Sequence, residues 1–400
     1  MKQGKICLPD YEGGSIVNLM SSIAQSFGAK IVYPPLRLLP SEELKKSRNI
    51  ALIILDGIGF EYLNKKSNKY FLKQNLEHKI TSVFPPTTTS AIPTFLTGTA
   101  PQQHAFTGWF TYLKEIGVVS KILPFSARIG GPPFSKYGFN INEAFNQKSF
   151  SEKIKAKSFL ISPKELTNSD FTILTSKDSK VLGYKSLKGF FRKIKKAVKS
   201  KEKNKRKYIY AYWPGFDSLS HEYGVGSKKT EEHFEEIDKR LKEFVESIKN
   251  TDTTILITSD HGFINASKNK EISLKDHPKL KDCLTLPLCG EARTAYCYVH
   301  PSKAMEFEKY IKTKLNKFCY LYKSEELIKK NFFGLYTPNP KLFDRIGDYA
   351  LLFKEDYIID NGLDIKKKKK EKFIIGHHGG ISKEEMYVPL IILKTPATFK

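Results

Sequence analysis

The chain has little cysteine, and none of it is arranged for a disulfide framework or a zinc finger. Its 400 residues contain five cysteines, an odd number with no Cys-x-x-Cys pair. Since secreted scaffolds depend on paired cysteines, a reducing compartment is indicated. The N-terminal stretch also lacks the apolar segment of a secretory signal. No apolar run reaches the roughly 18 residues that span a bilayer. We therefore expect a soluble, cytoplasmic protein.

Acidic residues are scarce relative to basic ones, with 42 Asp and Glu against 67 Lys and Arg and a net charge of +25. This excess predicts attraction to phosphorylated metabolites, nucleic acid or an acidic membrane surface. A lysine-rich surface without a binding role explains it equally well. With 40% hydrophobic and 27% charged residues, the composition is that of a globular chain. The length fits one large domain with an insertion, or two domains.

Apolar segments of strand length alternate with helical segments. Strands are predicted at residues 49–55 (NIALIIL), 80–84, 208–213 (YIYAYW), 253–258 (TTILIT) and 388–393, and helices at residues 90–96 and 228–248. A continuous apolar run such as NIALIIL is typical of a parallel strand buried on both faces. The alternation predicts an α/β fold with a mainly parallel sheet flanked by helices.

Residues 268–372 have a different pattern. They contain a strand-like segment at 294–300, a helix-like segment at 302–315, a loop-rich stretch and a lysine run at 366–370. We interpret them as a smaller α+β cap inserted over the site. Residues 1–267 and 373–400 then form the catalytic core.

Acidic and imidazole side chains follow the predicted strands in small groups. These groups are Asp56, Asp217 with His221, Asp260 with His261, and His377 with His378. Asp and His are the ligands that zinc prefers when thiolates are absent. In open α/β sheets, ligands bind at the carboxyl ends of strands. The groups together therefore predict a site for two ions.

Each group taken alone has an ordinary alternative. Asp217 and His221, four residues apart, share one face of a helix whether or not they bind an ion. Asp260 and His261 also fit a simple strand-to-loop turn. His377 and His378 fit a loop at the surface.

The threonine run at residues 87–89 follows a predicted strand and precedes a helix. A helix N-terminus favours phosphate, so a hydroxyl there is well placed as a nucleophile. N-capping explains the same residues without any chemistry.

Apolar residues recur at helical spacing among lysines and arginines at residues 187–198, and a charged stretch to residue 207 follows. This pattern predicts an amphipathic basic helix. Packing of its apolar face on the core is favoured, and contact with nucleic acid or anionic lipid is the alternative. The sequence has no RNA-binding signature and no P-loop.

Five stretches together resemble the alkaline phosphatase superfamily, and most of all its type I phosphodiesterase and nucleotide pyrophosphatase branch. They are ALIILDGIG, VFPPTTTSAIPTFLTGTAPQQHAFTGW, YAYWPGFDSLSHEYG, LITSDHGF and GHHGGIS. The resemblance implies that Thr88 is the nucleophile. It also implies two metal ions, usually zinc and in some relatives manganese. Their ligands would be Asp56, Thr88, Asp260 and His261 for one ion, and Asp217, His221 and His378 for the other.

One position departs from the family pattern. Nucleotide pyrophosphatases of this branch often carry an asparagine that contacts a phosphoryl oxygen where this chain has Trp109. The preference for diesters is therefore open, and Arg128 or Arg293 is an alternative phosphate ligand. The sulfatase motif Cys-x-Pro-x-Arg is missing.

The function predicted from the sequence is metal-dependent hydrolysis of a phosphodiester or pyrophosphate through a phosphothreonine intermediate. The expected substrate is a small phosphorylated molecule such as a nucleotide. A phosphomonoesterase or phosphosugar mutase is the alternative within the superfamily. A weakly catalytic, basic protein that binds nucleic acid or a membrane surface is the alternative outside it.

Overall fold

The computed structural model describes residues 6–202, 205–360 and 372–397. The lysine run at 366–370 and two residues of the basic stretch, 203 and 204, lie outside the described residues. In chain order, the strands are β1 (Asn49–Leu55), β2 (His78–Thr81), β3 (Phe110–Leu113), β4 (Val118–Lys121), β5 (Ser126–Ala127), β6 (Lys157–Pro163), β7 (Ser179–Tyr184), β8 (Lys207–Trp213), β9 (Thr253–Thr258), β10 (Ile264–Asn265), β11 (Glu271–Ile272), β12 (Cys289–Gly290), β13 (Thr294–Cys297), β14 (Cys319–Lys323), β15 (Tyr349–Phe353), β16 (Ile358–Ile359), β17 (Gly376–His377) and β18 (Tyr387–Thr395).

The α-helices are α1 (Ile16–Ser26), α2 (Ser41–Lys45), α3 (Phe60–Asn64), α4 (Phe71–Gln74), α5 (Thr88–Thr97), α6 (Pro101–His104), α7 (Ile141–Ala144), α8 (Phe150–Lys153), α9 (Asp170–Thr175), α10 (Leu187–Val198), α11 (Gly215–Tyr223), α12 (Lys228–Ser247), α13 (Pro278–Lys281), α14 (Ala304–Tyr310), α15 (Ser324–Lys329), α16 (Pro340–Arg345) and α17 (Lys383–Met386). No helix in the described parts of the chain is long and apolar enough to cross a membrane.

A seven-stranded sheet with the order β2-β18-β9-β1-β8-β6-β7 forms the centre of the fold. The strands β9, β1, β8, β6 and β7 pair in parallel, and only β18 runs against its neighbours. The predicted α/β class with a mainly parallel sheet is thereby confirmed.

Both faces of this sheet are covered. Ile50, Leu52 and Ile54 of β1 pack in a core that includes α1 and α5. The alternate residues of β1 face a second core that includes α10 and α12. All seven residues of β1 are buried, as expected for a central parallel strand. The basic helix predicted at residues 187–198 is α10, and its apolar side chains pack in this second core.

A second sheet has the order β14-β15-β13-β12-β3-β4-β5, and its pairs are all antiparallel. Four of its strands come from the segment predicted as a cap, 268–372. The strands β3 to β5 come from residues 110–127, which sequence reasoning assigned to the core. The division into a core and an inserted cap therefore stays a prediction, and this sheet extends beyond its proposed limits.

Several element bounds differ from those predicted. The strand expected at residues 80–84 ends at Thr81, and beyond it the Phe84 N–H donates to the Tyr11 hydroxyl at 3.2 Å. The strand expected to reach residue 300 ends at Cys297. There the Asp348 carboxylate accepts the Val299 N–H at 2.7 Å. The helix expected at 302–315 is α14 followed by a π-helical turn, Ile311–Leu315.

Candidate metal centre

Three adjacent parallel strands bring the acidic groups to one edge of the large sheet. Asp56 directly follows β1, Asp260 and His261 follow β9, and α11, which follows β8, carries Asp217 and His221. Carboxyl ends of parallel strands share an edge, so residues more than 200 positions apart become neighbours.

Glycine at residue 57 permits this approach. Its φ is +78°, and a Cβ there would lie 2.5 Å from the Phe263 ring and 3.3 Å from the Asp217 Cα.

One group of ligands consists of Asp56, Asp260 and His261, all with at most 1% of the residue exposed. The His261 Nε2 lies 3.4 Å from an oxygen of each carboxylate. The Tyr212 hydroxyl donates to Asp56 Oδ2. The N–H groups of Gly57 and His261 donate to Asp260 Oδ1, at 3.2 and 3.1 Å. Each carboxylate thus uses one oxygen within the protein and directs the other toward His261.

The second group contains Asp217, His221 and His378. The Asp217 Oδ1 lies 3.4 Å from the His221 Nε2 and 3.8 Å from the His378 Nε2, and the two Nε2 atoms are 3.2 Å apart. His261 borders this group too, since its ring stacks on that of His378 at a centroid distance of 3.7 Å.

Backbone carbonyls fix the tautomers of two of these imidazoles. The Nδ1 of His221 lies 2.8 Å from the Gly376 oxygen, and the Nδ1 of His261 lies 3.1 Å from the Gly262 oxygen. A carbonyl can only accept, so each Nδ1 carries the hydrogen and each Nε2 keeps its lone pair for a ligand. The neighbouring His377 differs, because its Nε2 donates to the Ile374 oxygen at 3.0 Å.

Thr88 is the first residue of α5 and is partly exposed at the edge of both groups. Its Oγ1 lies 3.2 Å from the His261 Nε2. The structure therefore brings together all seven residues predicted for the site, from five separate stretches of the chain.

Burial and mutual repulsion perturb the charges of these groups. Burial, reinforced by the charges of Asp217 and Asp260, raises the pKa of Asp56 well above its usual value. Burial and the neighbouring imidazoles of His261 and His221 lower the pKa of His378 well below its ordinary value. Burial alone would lower the pKa of His221, but Asp217 raises it overall. The cluster is thus electrostatically unfavourable on its own and would gain from positive ions.

Three carboxylate oxygens indicate that metal ions fit this site. Asp56 Oδ1, Asp217 Oδ1 and Asp260 Oδ2 are buried and have no hydrogen-bond partner among the residues that the structure describes. Ligand atoms of Asp56, Asp260 and His261 lie within 4.8 Å of one another, as do those of Asp217, His261 and His378. Leaving such oxygens unpaired is costly, and divalent cations would satisfy them. The donors are those that zinc and manganese accept.

Sequence reasoning missed two polar residues at the site, Tyr212 and Glu291. Tyr212 lies on β8 and bonds Asp56. Glu291 follows β12 of the second sheet and accepts hydrogen bonds from Thr87 Oγ1 and Trp109 N, both at 2.7 Å. Glu291 interacts electrostatically with Asp217 and His221. Tyr212 lies inside the quoted stretch YAYWPGFDSLSHEYG, but the resemblance assigns it no role. No motif of the parallel sheet indicates Glu291.

The two arginines considered as phosphate ligands are bonded elsewhere. Arg293 forms a bidentate pair with buried Glu385, with N–O distances of 3.1 and 3.0 Å. Arg128 stacks over the Phe110 ring and donates to the Leu288 carbonyl. Neither arginine is bonded to a residue of the metal centre.

The mainly parallel sheet and this cluster of acids, imidazoles and a helix-terminal hydroxyl define a hydrolase of the alkaline phosphatase superfamily. A family model described as type I phosphodiesterase / nucleotide pyrophosphatase matches residues 50–381, and the chain belongs to this family. A comparison with curated proteins gave no match.

Solved structures have the same fold at low sequence identity. Human ectonucleotide pyrophosphatase / phosphodiesterase 5 is 17% identical, with 87% of this chain and 90% of that chain covered and a TM-score of 0.65. The murine protein of the same name is 17% identical, with 85% of this chain and 87% of that chain covered and a TM-score of 0.63. Phosphonoacetate hydrolase from Sinorhizobium meliloti 1021 is 16% identical, with 89% of this chain and 92% of that chain covered and a TM-score of 0.61.

Proposed function

We propose that the chain hydrolyses phosphodiesters or pyrophosphates at a centre of two divalent metal ions, with Thr88 as the nucleophile. The observation that carries the proposal is a set of three buried carboxylate oxygens that no described residue hydrogen-bonds. All three lie near the His261 Nε2, which is 3.2 Å from the Thr88 hydroxyl. Zinc is the proposed metal, and manganese also fits these donors.

The ligand sets follow the two clusters. Asp56, Asp260, His261 and Thr88 would hold one ion, and Asp217, His221 and His378 the other. When bound, the ions would favour the ionised form of the Thr88 hydroxyl and neutralise charge on the phosphoryl oxygens.

The protein's own groups orient the reaction. The N-terminus of α5 presents free N–H groups and a partial positive charge to a phosphoryl group at Thr88. The Phe263 ring packs 5.1 to 5.4 Å from the imidazoles of His221, His261 and His378, by ring centroids, and so excludes water behind them.

The covalent steps balance as a hydrolysis. Thr88 gives its proton to solvent, Oγ1 forms a bond to phosphorus, and the bond from phosphorus to the leaving oxygen breaks. The leaving group then takes a proton from water. In the second step a water oxygen bonds to phosphorus, the bond to Oγ1 breaks, and Thr88 regains a proton.

A small phosphorylated substrate, in particular a nucleotide, is part of this proposal. Its support is the family and the solved structure of an inactive murine ectonucleotide pyrophosphatase / phosphodiesterase 5 in complex with AMP. The net charge of +25 would also favour anionic substrates. A cytoplasmic location is proposed as well, because no disulfide links the five buried cysteines.

Hydrolysis of bis-p-nitrophenyl phosphate and of p-nitrophenyl phosphate, with and without a metal chelator, tests the function. We expect metal-dependent turnover with the diester preferred. Preference for the monoester would support a phosphomonoesterase instead. Absence of metal-dependent turnover, together with steeply salt-dependent binding to nucleic acid or anionic vesicles, would overturn the proposal in favour of a binding protein.

Replacement of the nucleophile tests the mechanism. Thr88→Ala should keep the fold and remove nearly all turnover, because Thr88 is the one described residue whose hydroxyl is hydrogen-bonded to the His261 imidazole. Thr89→Ala on the same helix is the matched control, since the Thr89 hydroxyl is buried and no described residue hydrogen-bonds it. Wild-type rates in Thr88→Ala would disprove the assignment.

A further inference from the structure

A hairpin of the second sheet reaches the metal centre. Its strands β12 and β13 are joined by the turn Glu291-Ala292-Arg293. The Thr294 hydroxyl donates to the Gly379 carbonyl at 2.6 Å, next to His378. Arg293 is anchored by Glu385, and the same carboxylate accepts the Gly380 N–H at 2.7 Å. The turn is therefore fixed against the loop that carries His378.

Glu291 extends from this turn toward the nucleophile. Its Oε1 accepts the hydroxyl of Thr87, the residue before Thr88, and the N–H of Trp109. Glycine at position 379 makes room for it, because a Cβ there would lie 2.9 Å from the Glu291 Cγ. Both bonds go to one oxygen, and no hydrogen bond reaches Oε2 from any residue that the structure describes.

The Glu291 carboxyl group, held in place through Oε1, thus borders the site and interacts electrostatically with Asp217 and His221. We infer that Glu291 determines substrate choice, favouring phosphodiesters, which carry one negative charge on phosphorus, over monoester dianions, which carry two. The inference rests on the proposed function and names the substrate class of the same site.

The physical reason is repulsion between like charges at short range. A carboxylate beside a phosphoryl group opposes each added negative charge, more strongly in a partly buried site than in water. Specificity arises in this way from an unfavourable contact with the competing substrate. Trp109 supplies no side-chain amide to offset the repulsion, and its backbone N–H is already donated to Glu291.

Glu291→Gln separates this charge effect from a structural role. Glutamine keeps an Oε1 that accepts from Thr87 and Trp109, but it has no charge and offers an N–H in place of Oε2. The exposed Glu306 of α14 provides the control Glu306→Gln. Burial raises the pKa of Glu291 to about 7, so an assay at about pH 8 keeps this carboxyl group ionised and the monoester doubly charged.

The measurement is kcat/KM of the metal-loaded protein for p-nitrophenyl phosphate relative to bis-p-nitrophenyl phosphate. We expect this ratio to rise about tenfold or more in Glu291→Gln, mainly through KM of the monoester, and to be unchanged in Glu306→Gln. If the wild type turns over both substrates and Glu291→Gln leaves the ratio within about twofold, the inference fails and the proposed function stands.

Binding without turnover distinguishes the remaining outcomes. Metal-loaded Thr88→Ala and Thr88→Ala/Glu291→Gln are titrated calorimetrically with inorganic phosphate and with dimethyl phosphate. We expect the second change to strengthen phosphate binding by about tenfold relative to dimethyl phosphate. If the wild type shows no metal-dependent turnover, the proposed function fails. This titration then decides the inference, and equal effects on both ligands, or no binding, would overturn it.

Discussion

Asp56 uses one carboxylate oxygen for a bond with Tyr212, and its other oxygen, Oδ1, has no hydrogen-bond partner in the described parts of the chain. Asp260 is arranged similarly, with two N–H groups on Oδ1 and none on Oδ2. Such bonds orient a carboxylate before a metal binds, so the partners that donate them matter almost as much as the ligands. Tyr212 is therefore a positioning residue for the proposed ion.

Tyr212→Phe should weaken metal binding by about 10- to 100-fold with little change of fold, because only the hydroxyl that orients Asp56 is lost. Competition with a fluorescent chelator measures the affinity. Tyr208→Phe on the same strand is the control, since no residue within 6–202, 205–360 or 372–397 hydrogen-bonds the buried Tyr208 hydroxyl. Equal affinities for Tyr212→Phe and the wild type would show that Tyr212 does not position the ligand.

At the residue scale, the sequence pattern predicts which side chains converge when those side chains follow strands. Asp56 and Asp260 come directly after buried apolar runs, so their convergence follows from the geometry of a parallel sheet. Tyr212 belongs to a run of aromatic residues, YIYAYW, in which Tyr208, Tyr210 and Tyr212 alternate identically. Of these three tyrosines, Tyr212 donates to Asp56. The alternation of residues along the strand does not distinguish Tyr212 from the other two.

At the scale of elements, the β12–β13 hairpin depends on the buried ion pair between Arg293 and Glu385. Both residues are at most 1% exposed. Arg293 also donates to the carbonyls of Lys354 and Tyr357, so one side chain joins the hairpin, β15 and the segment before β18. A buried pair of this kind is strongly destabilising when only one partner is removed.

Arg293→Ala should lower the free energy of unfolding by about 3–5 kcal/mol, because Glu385 is left buried without its counter-charge. Urea denaturation followed by circular dichroism measures the change. Arg240→Ala on α12, which breaks the exposed pair with Glu236, should lower it by only about 0.3–0.5 kcal/mol. Similar midpoints for both variants would refute a structural role for the buried pair.

Element bounds were predicted well where hydrophobic pattern alone decides them, as in β9, and less well where side chains intervene. The strand at β13 ends early because the Asp348 carboxylate takes the N–H of Val299. This bond depends on a residue 49 positions away. Hydrophobic periodicity carries no signal for such a bond.

At the scale of the whole molecule, the mainly parallel sheet follows from the sequence, whereas the composition of the second sheet does not. The strands β3 to β5 precede the large sheet's β6 in the chain, yet β3 pairs with β12, whose Gly290 opposes Phe110. When two strands about 180 residues apart pair in antiparallel fashion, the local sequence of neither strand indicates its partner. Glu291 was not predicted for the same reason, because it follows a strand of this second sheet.

Side chains from five stretches of the chain are proposed to assemble one centre for two ions around Thr88. Crystals of zinc-loaded protein, measured for anomalous scattering at the zinc edge, test it most directly. The account predicts two peaks about 4 Å apart, one contacted by Asp56, Asp260 and His261 and the other by Asp217, His221 and His378. A single peak, or peaks away from these residues, would contradict it.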